Sequence, residues 1–162
     1  MAARVNGLLA SFRVYLPSTA TSGLRVRRRR YRFWDVRIFD SAPHLREFVS
    51  SSRFPGGAYM DCKKAAGFCR ALHVLCRNGK WAARRGGRRG IVVFCLPVFG
   101  AGVVSHEWTH AAHYELTRHR GRTSLPMRDH EKLAWLQGEF VRRFWCAFYR
   151  RLQLRRGKWV TA

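Results

Sequence analysis

Alternating apolar and polar residues mark a stretch in the first quarter of the chain as a β-strand. In residues 31–39 the side chains of Trp34, Val36 and Ile38 would lie on one face of an extended chain, and aromatic and β-branched residues dominate. A strand with one buried face produces this two-residue period. We therefore predict that ordered structure begins at Tyr31, in this strand.

A short helix is predicted directly after that strand. Asp40 and Ser41 have side chains that can cap a helix N-terminus, and Pro43 suits the first turn. The apolar residues that follow have helical spacing: Leu45, Phe48 and Val49. We expect the helix to end at the three serines of residues 50–52.

The patterns in the middle of the chain are weaker. Residues 53–70 contain glycine and show no clear period, so we expect a loop that holds at most a short helix. Residues 71–77 have the composition of a strand, and Asn78-Gly79 is a strong signal for a hairpin turn. Residues 80–83 would then return beside the first strand of the hairpin.

A continuous apolar run, residues 91–98, predicts a buried strand that Pro97 ends. A mobile basic loop, residues 84–90, is expected before it. By analogy with edge strands that pair with extended peptides, residues 92–96 are predicted to border a cleft. The uncharged run of residues 91–104 is shorter than the about 20 apolar residues that cross a bilayer, so no transmembrane segment is expected.

Helical periodicity begins at Gly102 and continues to about Leu116. After a basic loop at residues 118–128, Asp129 is expected to cap a second long helix over residues 130–151. The apolar stripe of this helix consists of Leu133, Leu136, Phe140, Phe144 and Phe148. The order of elements predicts an α+β fold, with a small mixed β-sheet and two long helices late in the chain.

Length and charge refine this picture. The 162 residues, of which 47% are hydrophobic, argue for one domain. We assign it to residues 31–152, between a basic, disordered N-terminal arm (residues 1–30) and a basic tail (residues 153–162). The arm has the composition of a transit peptide or of a nucleic-acid-binding arm. With 32 basic and 9 acidic residues the net charge is +23, so we expect non-specific binding to nucleic acid through the arginine-rich segments.

The number and spacing of the cysteines indicate the redox state of the cellular compartment. The five cysteines are odd in number, and no two of them form a CxxC pair. A secreted disulfide framework is therefore not expected, and a reducing compartment fits better. Since no secretory signal is evident either, we predict the cytoplasm of a bacterial or phage-infected cell.

The chemistry of the chain is concentrated in an HExxH motif, residues 106–110. Residues four apart on a helix lie one above the other, so His106 and His110 point the same way and can hold one Zn²⁺. Zinc lowers the pKa of bound water towards about 7. Glu107, beside the first ligand, is the predicted catalytic residue, which takes a proton from the attacking water and later gives it to the leaving amine.

The third zinc ligand decides the subclass. A metzincin needs glycine and histidine where His113 and Leu116 stand, so that subclass is excluded. A thermolysin-like arrangement takes a glutamate from the next long helix, and Glu131 stands in its first turn. Small residues at Ala134 and Gly138, on the same face, would allow this helix to approach the motif helix. Glu131 is therefore the predicted third ligand.

Other polar residues near the motif remain as alternatives. Tyr114 and His113, each within one turn after the second histidine, are expected to line the site, and Tyr114 can stabilise an oxyanion. The weaker alternatives for the third ligand are Asp129, His130, Glu139, His113 and His119.

Residues 102–114 (GVVSHEWTHAAHY) and residues 129–140 (DHEKLAWLQGEF) resemble small HExxH metallopeptidase-like proteins of bacteriophages and mobile elements. These belong to the zincin superfamily and have a gluzincin-like ligand order; the ImmA/IrrE metallopeptidases are a more distant comparison. The resemblance implies a minimal zincin fold and a zinc cofactor. It also implies the same roles for His106, His110, Glu131 and Glu107.

Three functions follow as hypotheses. The first is a zinc-dependent metallopeptidase that acts on a peptide or protein substrate. The second is a zincin-like protein that binds zinc without catalysis, for which a closed four-ligand site would be typical. The third is a basic nucleic-acid-binding accessory protein of a phage or mobile element. The sequence indicates no particular substrate or oligomeric state.

Overall fold

A four-stranded mixed sheet organises the protein, with helices against both of its faces. We describe it from a computed structural model, which covers residues 6–17, 32–51, 66–75, 81–83, 87–117 and 125–154. The strands are β1 (Leu8–Tyr15), β2 (Phe33–Phe39), β3 (Gly67–Ala71), β4 (His73–Leu75), β5 (Trp81–Ala83) and β6 (Arg88–Cys95). The helices are α1 (Ala42–Ser50), α2 (Ala101–Thr117) and α3 (His130–Leu154), and 3-10 turns at Leu96–Val98 and Met127–Asp129 precede α2 and α3.

The strand order in the main sheet is β1-β2-β6-β3. Strand β2 pairs in parallel with β6, whereas β1 and β3 pair antiparallel with their neighbours. In the sheet that the structure describes, β1 and β3 are therefore the two edges. Strands β4 and β5 form a separate two-stranded ladder. The α+β class with a small mixed sheet, predicted from the sequence, is confirmed.

Each face of the sheet has its own apolar cluster. Helices α2 and α3 cover one face, where Trp34, Val36 and Ile38 of β2 pack with Trp108 of α2 and Phe144 of α3. Helix α1 covers the other face. The cluster there consists of Phe39, Leu45, Phe48, Val49, Ile91, Val93 and Cys95. Since β6 contributes to both clusters, it is buried on both faces, which explains its uninterrupted apolar sequence.

The sequence predicted several elements correctly. Helix α1 begins after Ser41, whose hydroxyl accepts a hydrogen bond from the backbone N–H of His44, and it has proline in its first turn. The predicted stripe of α3 is buried at its four positions from Leu136 to Phe148, and its first member, Leu133, is partly buried. Helix α3 extends to Leu154, slightly beyond the predicted end at residue 151.

Interpreting the first 30 residues as a disordered arm was wrong for residues 8–15. These residues form edge strand β1, which buries Phe12 and Val14 on the face of the sheet that α3 covers, with Phe12 against Phe144. Edge strands carry polar residues on their outer face, and the Ser, Arg and Tyr residues that alternate with the apolar ones concealed the strand. Residues 1–5 and 18–31 lie outside the described residues, as does the tail from residue 155.

Two further predictions in the middle of the chain need correction. The predicted loop of residues 53–70 ends in β3, which pairs with β6 from Gly67 onwards. The predicted basic loop of residues 84–90 overlaps β6, because Arg88 to Gly90 already belong to that strand. The paired strands β4 and β5 agree with the predicted hairpin, and its Asn78-Gly79 turn lies outside the described residues.

Within the described ranges, no helix has the length and apolar composition needed to cross a membrane. The 25-residue helix α3 is long enough, but its apolar residues form a stripe between charged ones.

Candidate active site

The two histidines of the HExxH motif come together on the exposed side of α2. The Nε2 atoms of His106 and His110 lie 3.1 Å apart, and the two ring planes are nearly perpendicular. Two nitrogen ligands with bonds of 2.0–2.1 Å to one tetrahedral metal ion would be about 3.3–3.4 Å apart. The spacing of the two imidazoles therefore fits a shared zinc ion to within a few tenths of an ångström.

Charge and burial favour the neutral form of His110. Burial lowers the pKa of its imidazole, and the neighbouring charges of His106 and His113 lower it further. A metal ion binds the neutral imidazole, so a lowered pKa reduces the competition from protons.

Glu107 lies deeper in the protein than the two histidines, beside β3. Its side chain is buried, with 7% exposure. Burial raises the pKa of the carboxyl group to about 7, although a hydrogen bond from the backbone of Cys69 acts in the other direction. A carboxyl group with a pKa near neutrality is suited to both accept and return a proton at physiological pH.

Because Gly67 has no side chain, there is room for the side chain of Glu107 beside β3. A Cβ atom at this position would lie 3.1 Å from Cγ of Glu107 and 3.2 Å from Val93 O. Since any side chain at residue 67 would press on both, glycine allows β3 and α2 to approach closely enough for the hydrogen bond between Cys69 and Glu107.

The three motif residues line one open pocket of about 590 Å³ between α2 and β3. Helix α2 provides one wall of this pocket, and β3 provides the other. The lining consists of Trp34, Gly67, Phe68, Cys69, Arg70, Ala71, His106, Glu107, His110 and Tyr114.

The free edge of β3 faces this pocket with backbone groups. In the antiparallel ladder with β6, Leu72 donates to Arg89 O and Cys95 donates to Ala66 O. Because opposite residues alternate between bonded and non-bonded pairs, Gly67, Cys69 and Ala71 direct their N–H and C=O groups away from β6. The prediction that residues 92–96 border the cleft was wrong: β6 lies between two strands, and β3 is the edge beside α2.

Tyr114 lines the pocket, as predicted from the sequence. Its hydroxyl donates to Leu72 O at 3.3 Å, and its ring packs edge-on against Trp34. The hydroxyl is therefore held near the end of β3. His113 is partly buried and does not line the pocket; it acts on the site through its charge effect on His110.

Glu131 is an exposed residue in the first turn of α3. Among the described residues no group of three or more His, Cys, Asp or Glu side chains has a metal-binding arrangement, so the structure does not bring Glu131 to the two histidines. The expected approach through Ala134 and Gly138 was wrong. Both residues are exposed, and a Cβ atom at Gly138 would meet nothing within 4 Å.

The alternative ligands on α3 and in the 3-10 turn before it are engaged elsewhere or exposed. Asp129 is buried and accepts a hydrogen bond from Lys132, while His130 is exposed. Arg142 and Arg143 both donate to Glu139, and these bonds, mainly that of Arg142, lower the pKa of its carboxyl group to about 2. His119 lies outside the described residues.

Sequence reasoning missed the residues that position the motif. Gln137 donates to the Ser105 hydroxyl at 2.7 Å and to the Ser105 carbonyl at 3.2 Å, which joins α3 to the turn that carries His106. The sequence feature that could have indicated Gln137 is its position as a polar residue next to the apolar stripe of α3. The wall formed by β3 was missed because its five residues (GFCRA) are too few and too mixed to show a period.

Comparisons of the chain with protein-family models, curated proteins and solved structures gave no match. Function is therefore inferred from the chemistry of the site.

Proposed function

We propose that this protein is a zinc-dependent metallopeptidase. One observation carries the proposal: two imidazole nitrogens 3.1 Å apart line the same pocket as a buried glutamate, beside the free edge of a strand. Burying a carboxyl group is unfavourable, and a catalytic role would account for the burial of Glu107 beside two exposed histidines.

His106 and His110 hold the metal in this proposal. When bound, zinc supplies a Lewis acid and makes hydroxide available near neutral pH. Glu107 would accept the proton of the attacking water and pass it to the leaving amine. Its pKa of about 7 describes the metal-free site, and a bound cation would lower it. The hydrogen bond from Cys69 fixes the carboxylate between the motif helix and β3.

Strand β3, which forms the pocket wall opposite the HExxH helix, suggests the class of substrate. Backbone N–H and C=O groups of Gly67 and Ala71 point into the pocket from the free edge of β3. An extended peptide can hydrogen-bond to these edge groups, which lie on either side of the Cys69 N–H that Glu107 occupies, and its backbone would then lie beside Glu107. The proposed substrate is accordingly an unfolded or extended segment of a peptide or protein.

Glu131 remains the proposed third ligand from its position in the sequence, in the first turn of the helix after the motif helix. Because the structure places it away from the two histidines, the proposal requires the start of α3 to move towards them when metal binds. The described cysteines Cys69, Cys95 and Cys146 are free thiols, which supports the proposed cytoplasmic location. A phage or mobile-element origin rests on the sequence resemblance alone.

The test combines zinc content with peptide hydrolysis. Glu107→Gln should retain stoichiometric zinc and reduce kcat on a fluorogenic peptide library by at least about 100-fold, because the proton acceptor is lost. Glu139→Gln, a matched change outside the pocket, should leave both unchanged. Zinc-loaded wild-type protein that cleaves no peptide would instead support a zinc-binding protein without catalysis.

A further inference from the structure

A second concave surface lies at the opposite edge of the sheet from the HExxH pocket. It is a groove of about 820 Å³ between β1 and the last turns of α3. The groove is lined by Ser11, Phe12, Arg13, Tyr15, Asp35, Ala147, Arg150 and Arg151. Because β1 and β3 are the two edges of the described sheet, a ligand in this groove would not occupy the candidate active site.

The groove is basic. Arg13, Arg150 and Arg151 are all exposed, and Asp35 is the acidic residue of the lining. The carboxylate of Asp35 forms ion pairs with Arg13 and with Arg88, so two arginines offset its charge. The groove therefore has a net positive charge within a chain whose overall charge is +23.

Contacts within the protein hold two groups beside the groove in place. The guanidinium of Arg13 lies 4.4 Å above the centre of the Phe33 ring, although 58% of the Arg13 side chain is exposed. Arg143 donates to Tyr15 O, which ties α3 to β1 beside the groove. An arginine held on an aromatic ring loses less conformational freedom when it binds an anion.

Two further arginines lie near this end of β1. Arg32 directly precedes β2, and Arg88 begins β6, where it is the register partner of Phe33. Phe33 is in turn the register partner of Tyr15. Both arginines add positive charge beside the groove.

Backbone and aromatic groups complete the surface. Leu16 donates to Arg32 O, and because bonded pairs alternate along the β1–β2 ladder, Ser11 and Arg13 direct their N–H groups away from β2. Such N–H groups commonly contact phosphate. The Tyr15 ring is 41% exposed beside Arg13, and an exposed aromatic ring offers a surface on which a base can stack.

We propose that this groove binds single-stranded nucleic acid, with Arg13, Arg150 and Arg151 on the phosphates and Tyr15 against a base. Arginines along a groove with an exposed aromatic ring are typical of sequence-tolerant binding to single strands. An acidic peptide would use the arginines but would have no base to stack on Tyr15. This proposal is independent of the zinc chemistry.

The test measures the affinity of the full-length protein for a fluorescent oligo(dT) by anisotropy across a range of salt concentrations. Arg150→Glu and Arg151→Glu should each weaken binding by at least about tenfold. Arg128→Glu, the same charge change at an exposed residue outside the groove lining, should weaken binding by less than about twofold. Equal losses in all three variants would mean that net charge alone attracts the DNA, which would overturn the proposal.

Two further variants separate phosphate contacts from stacking. Arg150→Ala with Arg151→Ala should reduce the slope of log affinity against log salt by about 1.4, since each phosphate contact on a single strand contributes about 0.7. Tyr15→Leu should weaken binding by about fivefold or more and leave that slope unchanged. Thermal melting of each variant checks that the fold is retained. Equally tight binding of duplex DNA or polyglutamate by the wild type would contradict the single-strand assignment.

Discussion

The carboxylate of Glu107 accepts a hydrogen bond from the backbone of Cys69, which links the HExxH helix to the free edge of β3. A buried carboxyl group on α2 is thereby held against a strand whose backbone faces the same pocket. The same contact accounts for Gly67, because a side chain there would displace Glu107. Burial and the charges of Glu107 and Glu115 raise the pKa of the Cys69 thiol, which disfavours its thiolate form.

The burial of Glu107 predicts a pH dependence of stability in the metal-free protein. Its folded pKa of about 7 lies above its ordinary value of 4.5, so the folded state retains a proton that the unfolded state loses. The contribution of Glu107 to the free energy of unfolding should therefore be fully present below about pH 4.5. It should be lost as the pH rises through 7, which lowers that free energy by up to about 3 kcal/mol. Urea unfolding of EDTA-treated protein at pH 5 and pH 8 measures this loss.

Glu107→Gln is the control for that measurement, because glutamine does not titrate. Its stability should change less than that of the wild type between the two pH values. Parallel losses in both proteins would assign the pH dependence to other groups.

The third-ligand assignment predicts that Glu131→Ala weakens zinc binding. Replacing an outer-shell partner of a metal ligand typically costs 10–100-fold in affinity, so loss of a ligand should cost at least about 100-fold. Competition with a chromogenic chelator measures the change. Glu139→Ala removes a carboxylate from the same helix and should leave zinc affinity unchanged. Wild-type affinity in Glu131→Ala would exclude this residue as a ligand.

The surroundings of two glycines predict that their replacement by alanine has opposite effects on stability. A Cβ atom at Gly90 would overlap the Trp34 ring and the Arg70 carbonyl, so Gly90→Ala should destabilise the fold by about 1–3 kcal/mol. Gly138 is exposed within α3 with nothing near its missing Cβ, so Gly138→Ala should stabilise by about 0.5–1 kcal/mol. Chemical denaturation compares both with the wild type, and equal effects would contradict the packing described for β6.

The ion pairs of Glu139 predict a loss of stability in acid. Arg142 and Arg143 lower the pKa of this carboxyl group to about 2, so its contribution is present above about pH 4.5 and is lost as the pH falls towards 2. The arginines are partly exposed, which limits the contribution to about 1 kcal/mol or less. The stability difference between wild type and Glu139→Gln should shrink between pH 6 and pH 3; a constant difference would argue against ion pairing.

The sequence predicted the elements with a strong local signal. Strand β2, helix α1 and the two long helices follow from alternation, a capping serine and an apolar stripe, all of which act within a few residues. Strand β1 has an alternating signal as well, in Phe12 and Val14, but the acid-free composition around it suggested disorder instead. Strand β3 is short and contains glycine, so its assignment depended on its partner β6.

The sequence predicted that the two motif histidines lie together, but it did not predict which strand forms the opposite wall of the pocket. The i, i+4 spacing brings His106 to His110 on any helix, whereas the choice of β3 rather than β6 as the edge depends on strand order. The sequence also indicated which face of α3 is buried. Its stripe through Leu136 and Phe140 already places Gly138 on another face, so the expected approach there contradicted the stripe itself. Whether Glu131 reaches a metal depends on the packing of α2 against α3, which no local pattern specifies.

The most direct test of a zinc site is the metal content of protein purified without added metal, measured by mass spectrometry for the wild type and for His110→Ala. The proposed function predicts close to one zinc per wild-type chain and a large loss in the variant, because the substitution removes one of the two paired imidazole nitrogens. A wild-type protein that holds no zinc, even after reconstitution near neutral pH, would contradict the proposed metallopeptidase function.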